Sequence, residues 1–168
     1  NNANIDEKTK NMMLRNIARL KDQKINIMIT GSTGCGKSST INALFDANIA
    51  KVGQGVDPET QSISKYELDN LVLWDSPGLG DGKEQDIAHS RAIISKLNEL
   101  DGDEKPLIDL ILVILDAGTR DYGTSFELIN EVIIPAVGKE AKDRVLVALN
   151  QADIAMKGRG WNHIENRP

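Results

Sequence analysis

Apolar and polar positions change period several times along the chain, and each change marks an element. From Ile5 to about Asp22 the apolar residues Ile5, Met12, Met13, Ile17 and Leu20 recur at helical spacing. Asn4 with Glu7 three residues on has the form of a capping box, so this stretch predicts an amphipathic helix. Lys24-Ile25-Asn26-Ile27-Met28-Ile29 is a short β-branched run that stops at Thr30-Gly31, which predicts a strand. A glycine-rich turn follows, and Lys37 to about Asp46 reads as a helix. Residues 47–60, with Gly53, Gly55 and Pro58, predict a loop. Ser62–Leu68 alternates with period two, Asp69-Asn70 has turn chemistry, and Leu71–Trp74 is apolar, which together predict an antiparallel hairpin. Residues 76–83, with Pro77, Gly78, Gly80 and Gly82, predict a second loop. A helix is expected over Glu84–Leu100, with Ile87, Ile93, Ile94, Leu97 and Leu100 on its apolar face. The charged run 101–106 reads as a solvated connector. Leu110–Leu115 is continuously apolar, as a strand covered on both faces must be. A helix over Thr124–Val137, ending or bending at Pro135, leads to a last strand, Val145–Leu149. Strands alternating with helices predict an α/β fold, a mostly parallel sheet with helices on both faces and one antiparallel strand.

Composition narrows the class without naming a task. A chain of 168 residues suits one globular domain. The formal net charge of −5 argues against a DNA-binding surface, since such domains carry a basic face. A single cysteine, Cys35, excludes an internal disulfide and any multi-cysteine zinc site. No apolar run approaches the ~18 residues of a membrane helix. Asn1-Asn2-Ala3-Asn4 lacks the basic-then-apolar order of a signal peptide, so the expected compartment is the cytoplasm.

Three short segments carry chemistry. Gly31-Ser32-Thr33-Gly34-Cys35-Gly36-Lys37-Ser38 fits G-x-x-x-x-G-K-[ST], between a predicted strand and a predicted helix. Its glycines let backbone N–H groups wrap phosphate oxygens, and the helix beginning there, through Ser39, adds its positive end. Lys37 reaches the β- and γ-phosphates, and the Ser38 hydroxyl ligates Mg²⁺. Asp75-Ser76-Pro77-Gly78 follows a strand; Asp75 can hold a Mg²⁺-bound water, and Gly78 can bring its N–H to a γ-phosphate. Asn150-Gln151-Ala152-Asp153 follows the last strand. The Asp153 carboxylate can accept from the paired donors of guanine, which adenine does not offer. Asn150 can bond the base or tie this loop to the phosphate loop.

In this order and spacing the three segments resemble the G1, G3 and G4 elements of the translation-factor-type small GTPases, and within them the Era-like branch. Together with Val56-Asp57-Pro58-Glu59-Thr60 and Trp74-Asp75-Ser76-Pro77-Gly78, they look closest to the YfjP–YeeP group of bacterial GTPases. The resemblance implies a three-layer P-loop NTPase sandwich with strand order 2-3-1-4-5, the second strand antiparallel. It implies GTP/GDP and Mg²⁺ as ligands. Thr60, 22 residues after Ser38, then stands as the switch threonine that ligates Mg²⁺ and senses the γ-phosphate. Lys37, Thr60 and Gly78 are the expected catalytic contacts; Ser38, Thr60 and Asp75 are the expected metal set.

The chain departs from the family in three places. Leu79 stands where Ras-like members carry a water-orienting Gln, so hydrolysis is expected to be slow or assisted. Gln151 replaces the usual lysine, which implies weaker stacking on the base. No G5 element follows Asp153, so a domain stopping before its sixth strand, with one sheet edge uncovered and a weakened base site, is expected. The N-terminal helix, 1–23, stands apart from the nucleotide fold, 24–168. Arg120 reads as a surface-loop arginine, with an arginine finger or a dimer contact as the other reading. His89 and His163 read as solvated, and Cys35 as a small loop filler, with an oxidation-sensitive thiol as the other reading. A partner or membrane face at Met12-Met13 is weighed against ordinary helix packing. The expected activity is a slow GTPase switch with an unknown effector or activating protein. A nucleotide-dependent dimer, and RNA or ribosome contact by family analogy, go with it. The alternatives are a nucleotide-dependent interaction module without appreciable hydrolysis and a P-loop ATPase.

Overall fold

The computed structural model describes residues 7, 24–45, 63–68, 70–155, 160–162 and 164–165. Its centre is a five-stranded sheet in the order β2-β3-β1-β4-β5, with β1 Ile25–Gly31, β2 Ser64–Glu67, β3 Leu71–Asp75, β4 Leu110–Asp116 and β5 Val145–Asn150. All neighbours are parallel except β2 and β3. This is the mixed sheet and strand order expected of a P-loop NTPase.

Period-two alternation sends successive side chains of one strand to opposite faces, and two cores result. Ile29 of β1, Leu73 of β3 and Ile114 of β4 pack on one face with Cys35 and with Ile41 of helix α1, Lys37–Phe45. Met28, Ile111 and Val113 pack on the other with Ile93 and Leu97 of helix α2, Lys83–Leu97, and with Leu128, Val132 and Ile133. Burying each such side chain contributes about 1.5–3 kcal/mol. The central strands β1 and β4 are thus covered on both faces, which is why they read as apolar runs rather than alternations.

Several expected boundaries move. β1 runs through Thr30 to Gly31, where Gly31 pairs with Ile114. The hairpin strand is confined to Ser64–Glu67. Helix α2 closes at Leu97; Ile87 and Leu100, read as apolar-face residues, are exposed. The helix expected over Thr124–Val137 begins at Gly123 and widens into π-helical turns over Leu128–Ile133, then continues through Ile134–Val137. The widening lies directly before Pro135, which lacks an N–H and whose ring would strike the carbonyl four residues back in a regular α-helix. At the β5 edge Leu146, Val147 and Leu149 are exposed among the described residues. Apart from Glu7, the helix expected over Ile5–Asp22, with Met12 and Met13, lies outside the described residues, as do the loop 47–60 with its Thr60, and His163. No helix among the described residues is long and apolar enough to cross a membrane.

Candidate functional site

Register brings the chemistry together. Ile29 of β1 is level with Asp75 of β3, Gly31 with Ile114 of β4, and Asp116 of β4 with Asn150 of β5. The carboxyl ends of four parallel-running strands therefore open onto one side of the sheet, where α/β folds bind ligands. A cleft of about 890 Å³ lies there. Thr33, Gly34, Gly36, Lys37, Ser38 and Ser39 line one wall, and Asp75, Ser76 and Gly78 another.

The phosphate loop is a turn held from below. Cys35 is buried against the second core, and its backbone N–H donates to the Ser32 carbonyl at 3.3 Å. Burial pushes the Cys35 thiol up, against the opposing pull of Lys37. It is a filler under the loop rather than a poised thiolate. Gly36 has φ +96°, and a Cβ there would run into the Asn150 amide. That amide donates to the Cys35 carbonyl at 3.0 Å, so Asn150 ties the last loop to the phosphate loop. Lys37 is 9 % exposed, and its Nζ donates to the carbonyls of Gly31 at 3.2 Å and Ser32 at 2.9 Å. An ammonium has three donors, so one remains for a ligand while these two hold the side chain across the loop.

Asp75 is the electrostatic focus. It is 1 % exposed, and its Oδ1 has no hydrogen-bond partner. Burial pushes its carboxyl up to about 6, and only Lys37 pulls the other way. A buried acceptor held at such cost suits a cation or its bound water. Ser38 lines the same cleft. Among the described residues no cluster of three His, Cys, Asp or Glu side chains could hold a metal unaided. A carboxylate and a hydroxyl are oxygen donors of the kind a hard cation such as Mg²⁺ takes.

The segment after Asp75 is pressed onto the phosphate loop. A Cβ on Gly78 would lie 2.5 Å from Thr33 Oγ1 and 2.9 Å from the Thr33 backbone, so only glycine fits. The Thr33 N–H donates to the Leu79 carbonyl at 2.8 Å, and Thr33 Oγ1 donates to Asp81 Oδ2 at 2.9 Å. The Leu79 side chain is 5 % exposed and belongs to the first core, turned away from the cleft. Asp86 in the first turn of α2 accepts from the N–H groups of Gly80 at 2.8 Å and Asp81 at 3.3 Å, which fixes the loop on the helix.

The structure gathers Thr33, Gly34, Gly36, Lys37, Ser38, Ser39, Asp75 and Gly78 in the cleft; Cys35 is buried in the second core, and Ser32 joins through its carbonyl, which accepts from Lys37. Asn150 joins through its bond to Cys35. Gln151, at φ +58°, and the exposed Asp153 follow β5 and are not among the cleft's lining residues. Arg120 is exposed, as a surface-loop residue. The reading of His89 as solvated is corrected. It is half-buried, lines the cleft, and its Nδ1 lies 2.8 Å from the Gly78 carbonyl. Asp81 and Gln85 line the cleft beside it and were also missed. Gln85 and His89 stand four apart on α2 and so share a face, a signal that helical spacing carries.

The profile of the 50S ribosome-binding GTPases matches residues 26–151, about three quarters of the chain. The chain is 27% identical over 166 residues to the uncharacterized protein YkfA of Escherichia coli (strain K12), covering 96% of this chain and 53% of that one. It is 28% identical over 154 residues to YfjP of the same organism, covering 89% and 49%. It therefore spans about half the length of the curated relatives it matches. Among solved structures, Toc33 from Arabidopsis thaliana in complex with Mg²⁺ and GMPPNP is similar in fold, with a TM-score of 0.52 at 19% identity, covering 87% of this chain and 59% of Toc33.

Proposed function

The chain belongs to the 50S ribosome-binding GTPase family, and we propose that within it this protein is an Era-like cytoplasmic switch that binds GTP and GDP with Mg²⁺ and hydrolyses GTP slowly. The observation that carries the reading is the cleft's pairing of a phosphate loop with the buried, unpartnered oxygen of Asp75. Gly34, Gly36 and the start of α1 hold the phosphates, and Lys37 swings its remaining donor onto them. Ser38 and Thr60 would hold the metal, with Asp75 accepting from a water on it, and the metal would supply neutralisation of the charge that develops on the phosphates. Gly78 contributes its N–H to the γ-phosphate. Asn150 braces the phosphate loop, while Asp153, with Gln151 beside it, selects guanine. The burial of Leu79 supports slow hydrolysis, because no side chain at that position orients water. An effector, a nucleotide-dependent dimer and contact with RNA or the ribosome belong to the same proposal by family analogy.

Calorimetric titration with GDP, a non-hydrolysable GTP analogue and ATP, with and without Mg²⁺, tests it. Guanine nucleotides should bind and ATP should not, and Lys37→Ala should abolish triphosphate binding. Asp153→Asn should transfer preference to xanthosine nucleotides. Equal affinity for ATP, or tight triphosphate binding by the Lys37 variant, would overturn the reading. The buried Leu79 also favours a second reading, an interaction module that binds nucleotide without turning it over. Single-turnover release of labelled phosphate above buffer excludes that module.

A further inference from the structure

Gly78 has no side chain, so its backbone is the only handle by which the protein can aim it. Two of the backbone acceptors around it are held from opposite sides. The Leu79 carbonyl accepts from the Thr33 N–H of the phosphate loop at 2.8 Å. The Gly78 carbonyl lies 2.8 Å from His89 Nδ1, on the second turn of α2. A carbonyl can only accept, so Nδ1 carries the proton and donates. His89 is half-buried and lines the same cleft as Lys37 and Asp75. The residue next in the chain, Leu79, is committed to the core and cannot take part in aiming Gly78 through its side chain.

We propose that His89 is a positioning residue for the nucleotide's terminal phosphate: it anchors the Gly78 carbonyl to α2, so that the Gly78 N–H is held towards the γ-phosphate and a shift of Gly78 is passed to the helix. The proposal rests on the guanine-nucleotide reading of the cleft and deepens it. It assigns α2, through one imidazole, the task of distinguishing a triphosphate from a diphosphate. The tie is to the backbone, so its loss leaves the phosphate loop, Lys37 and Asp75 untouched. Binding of the α- and β-phosphates is then independent of His89, and the response to the γ-phosphate is not.

The test compares wild type with His89→Ala, His89→Asn and His89→Gln by titration with GDP and with a non-hydrolysable GTP analogue, and by single-turnover GTP hydrolysis. Asn places its amide donor where Nδ1 stands, whereas Gln places its donor one atom further out. His89→Ala should keep GDP affinity within about twofold. It should lose roughly tenfold in affinity for the GTP analogue and in single-turnover rate, the worth of one hydrogen bond. His89→Asn should recover most of both; His89→Gln should not. A purely structural role would lower the melting temperature and both affinities together, with no preference for Asn, and that result overturns the proposal. An unchanged GTP-to-GDP affinity ratio in His89→Ala overturns it too. Wild type that binds no guanine nucleotide overturns the functional reading itself and this proposal with it. Wild-type binding with an indifferent His89 variant overturns only the latter.

Discussion

Asp75→Asn should make the nucleotide-free protein more stable at neutral pH while impairing its ligand site. Asp75 is 1 % exposed, with one carboxylate oxygen unpartnered. Burial raises its carboxyl from an ordinary 3.8 to about 6, despite the opposing effect of Lys37. The folded protein therefore takes the proton more readily than the unfolded chain. Between those two pH values the native state binds more protons, so stability falls as pH rises. The protonated form's advantage is whole below 3.8 and is lost as pH passes about 6. At about 1.4 kcal/mol for each tenfold in proton affinity, the ionised carboxylate costs the folded state up to about 3 kcal/mol at pH 7. That is a large share of the roughly 5–15 kcal/mol that holds a domain of this size together. Asparagine has the same shape and no charge, so it removes the dependence. Its extra N–H groups need partners, which returns about 1 kcal/mol of the gain. The assay is urea unfolding of both proteins from pH 4 to 7.5, in chelator and without nucleotide. Other carboxylates titrate in both proteins, so the difference isolates Asp75. The two should converge near pH 4 and separate by about 2 kcal/mol at pH 7, with the variant the more stable. With Mg²⁺ and GDP added, the order should reverse. Parallel pH profiles in chelator would refute the reasoning, since they would mean that the charge of Asp75 is already compensated in the empty protein.

Leu79→Gln should not speed hydrolysis, because position 79 points into the core; it should instead lower stability by about 1–3 kcal/mol through a buried amide. A single-turnover rate above wild type would contradict this. Asn150→Ala removes the donor to the Cys35 carbonyl and should weaken GDP binding about tenfold by calorimetry, with a loss of about 1–3 kcal/mol in unfolding; unchanged affinity would show that the brace does not matter. Ile93→Ala, at a fully buried position of α2, should cost about 2–5 kcal/mol, seen as a lower denaturant midpoint at constant slope. A cost under about 1 kcal/mol would mean that the helix is loosely seated.

Elements whose reasons are local were readable from the chain itself. The apolar runs of β1, β3 and β4 give strands because both faces are covered, and the phosphate loop is contiguous, so its glycines, Lys37 and Ser38 carry their meaning within eight residues. What depended on neighbours was not readable. His89 looks like any surface histidine until α2 folds back over the Gly78 loop and the two meet at 2.8 Å. Asp81 acquires its partner only because Thr33 is pressed against that loop. The π-helical widening comes from Pro135 acting on a helix that the core at Leu128, Val132 and Ile133 will not release. Ile87 fits the apolar period of α2 yet is exposed, since period alone does not say how wide a face its neighbours cover, and Leu100 is exposed because α2 has already closed at Leu97.

The bond from Asn150 to the Cys35 carbonyl joins residues 115 positions apart. A polypeptide made at roughly 5–20 residues per second takes about 6–23 seconds to add that much chain. For that interval a growing molecule carries a finished phosphate loop with its brace not yet synthesised. The phosphate loop therefore gains this tie only after β5 has been made and paired with β4, and a nucleotide that meets the loop earlier meets it unbraced.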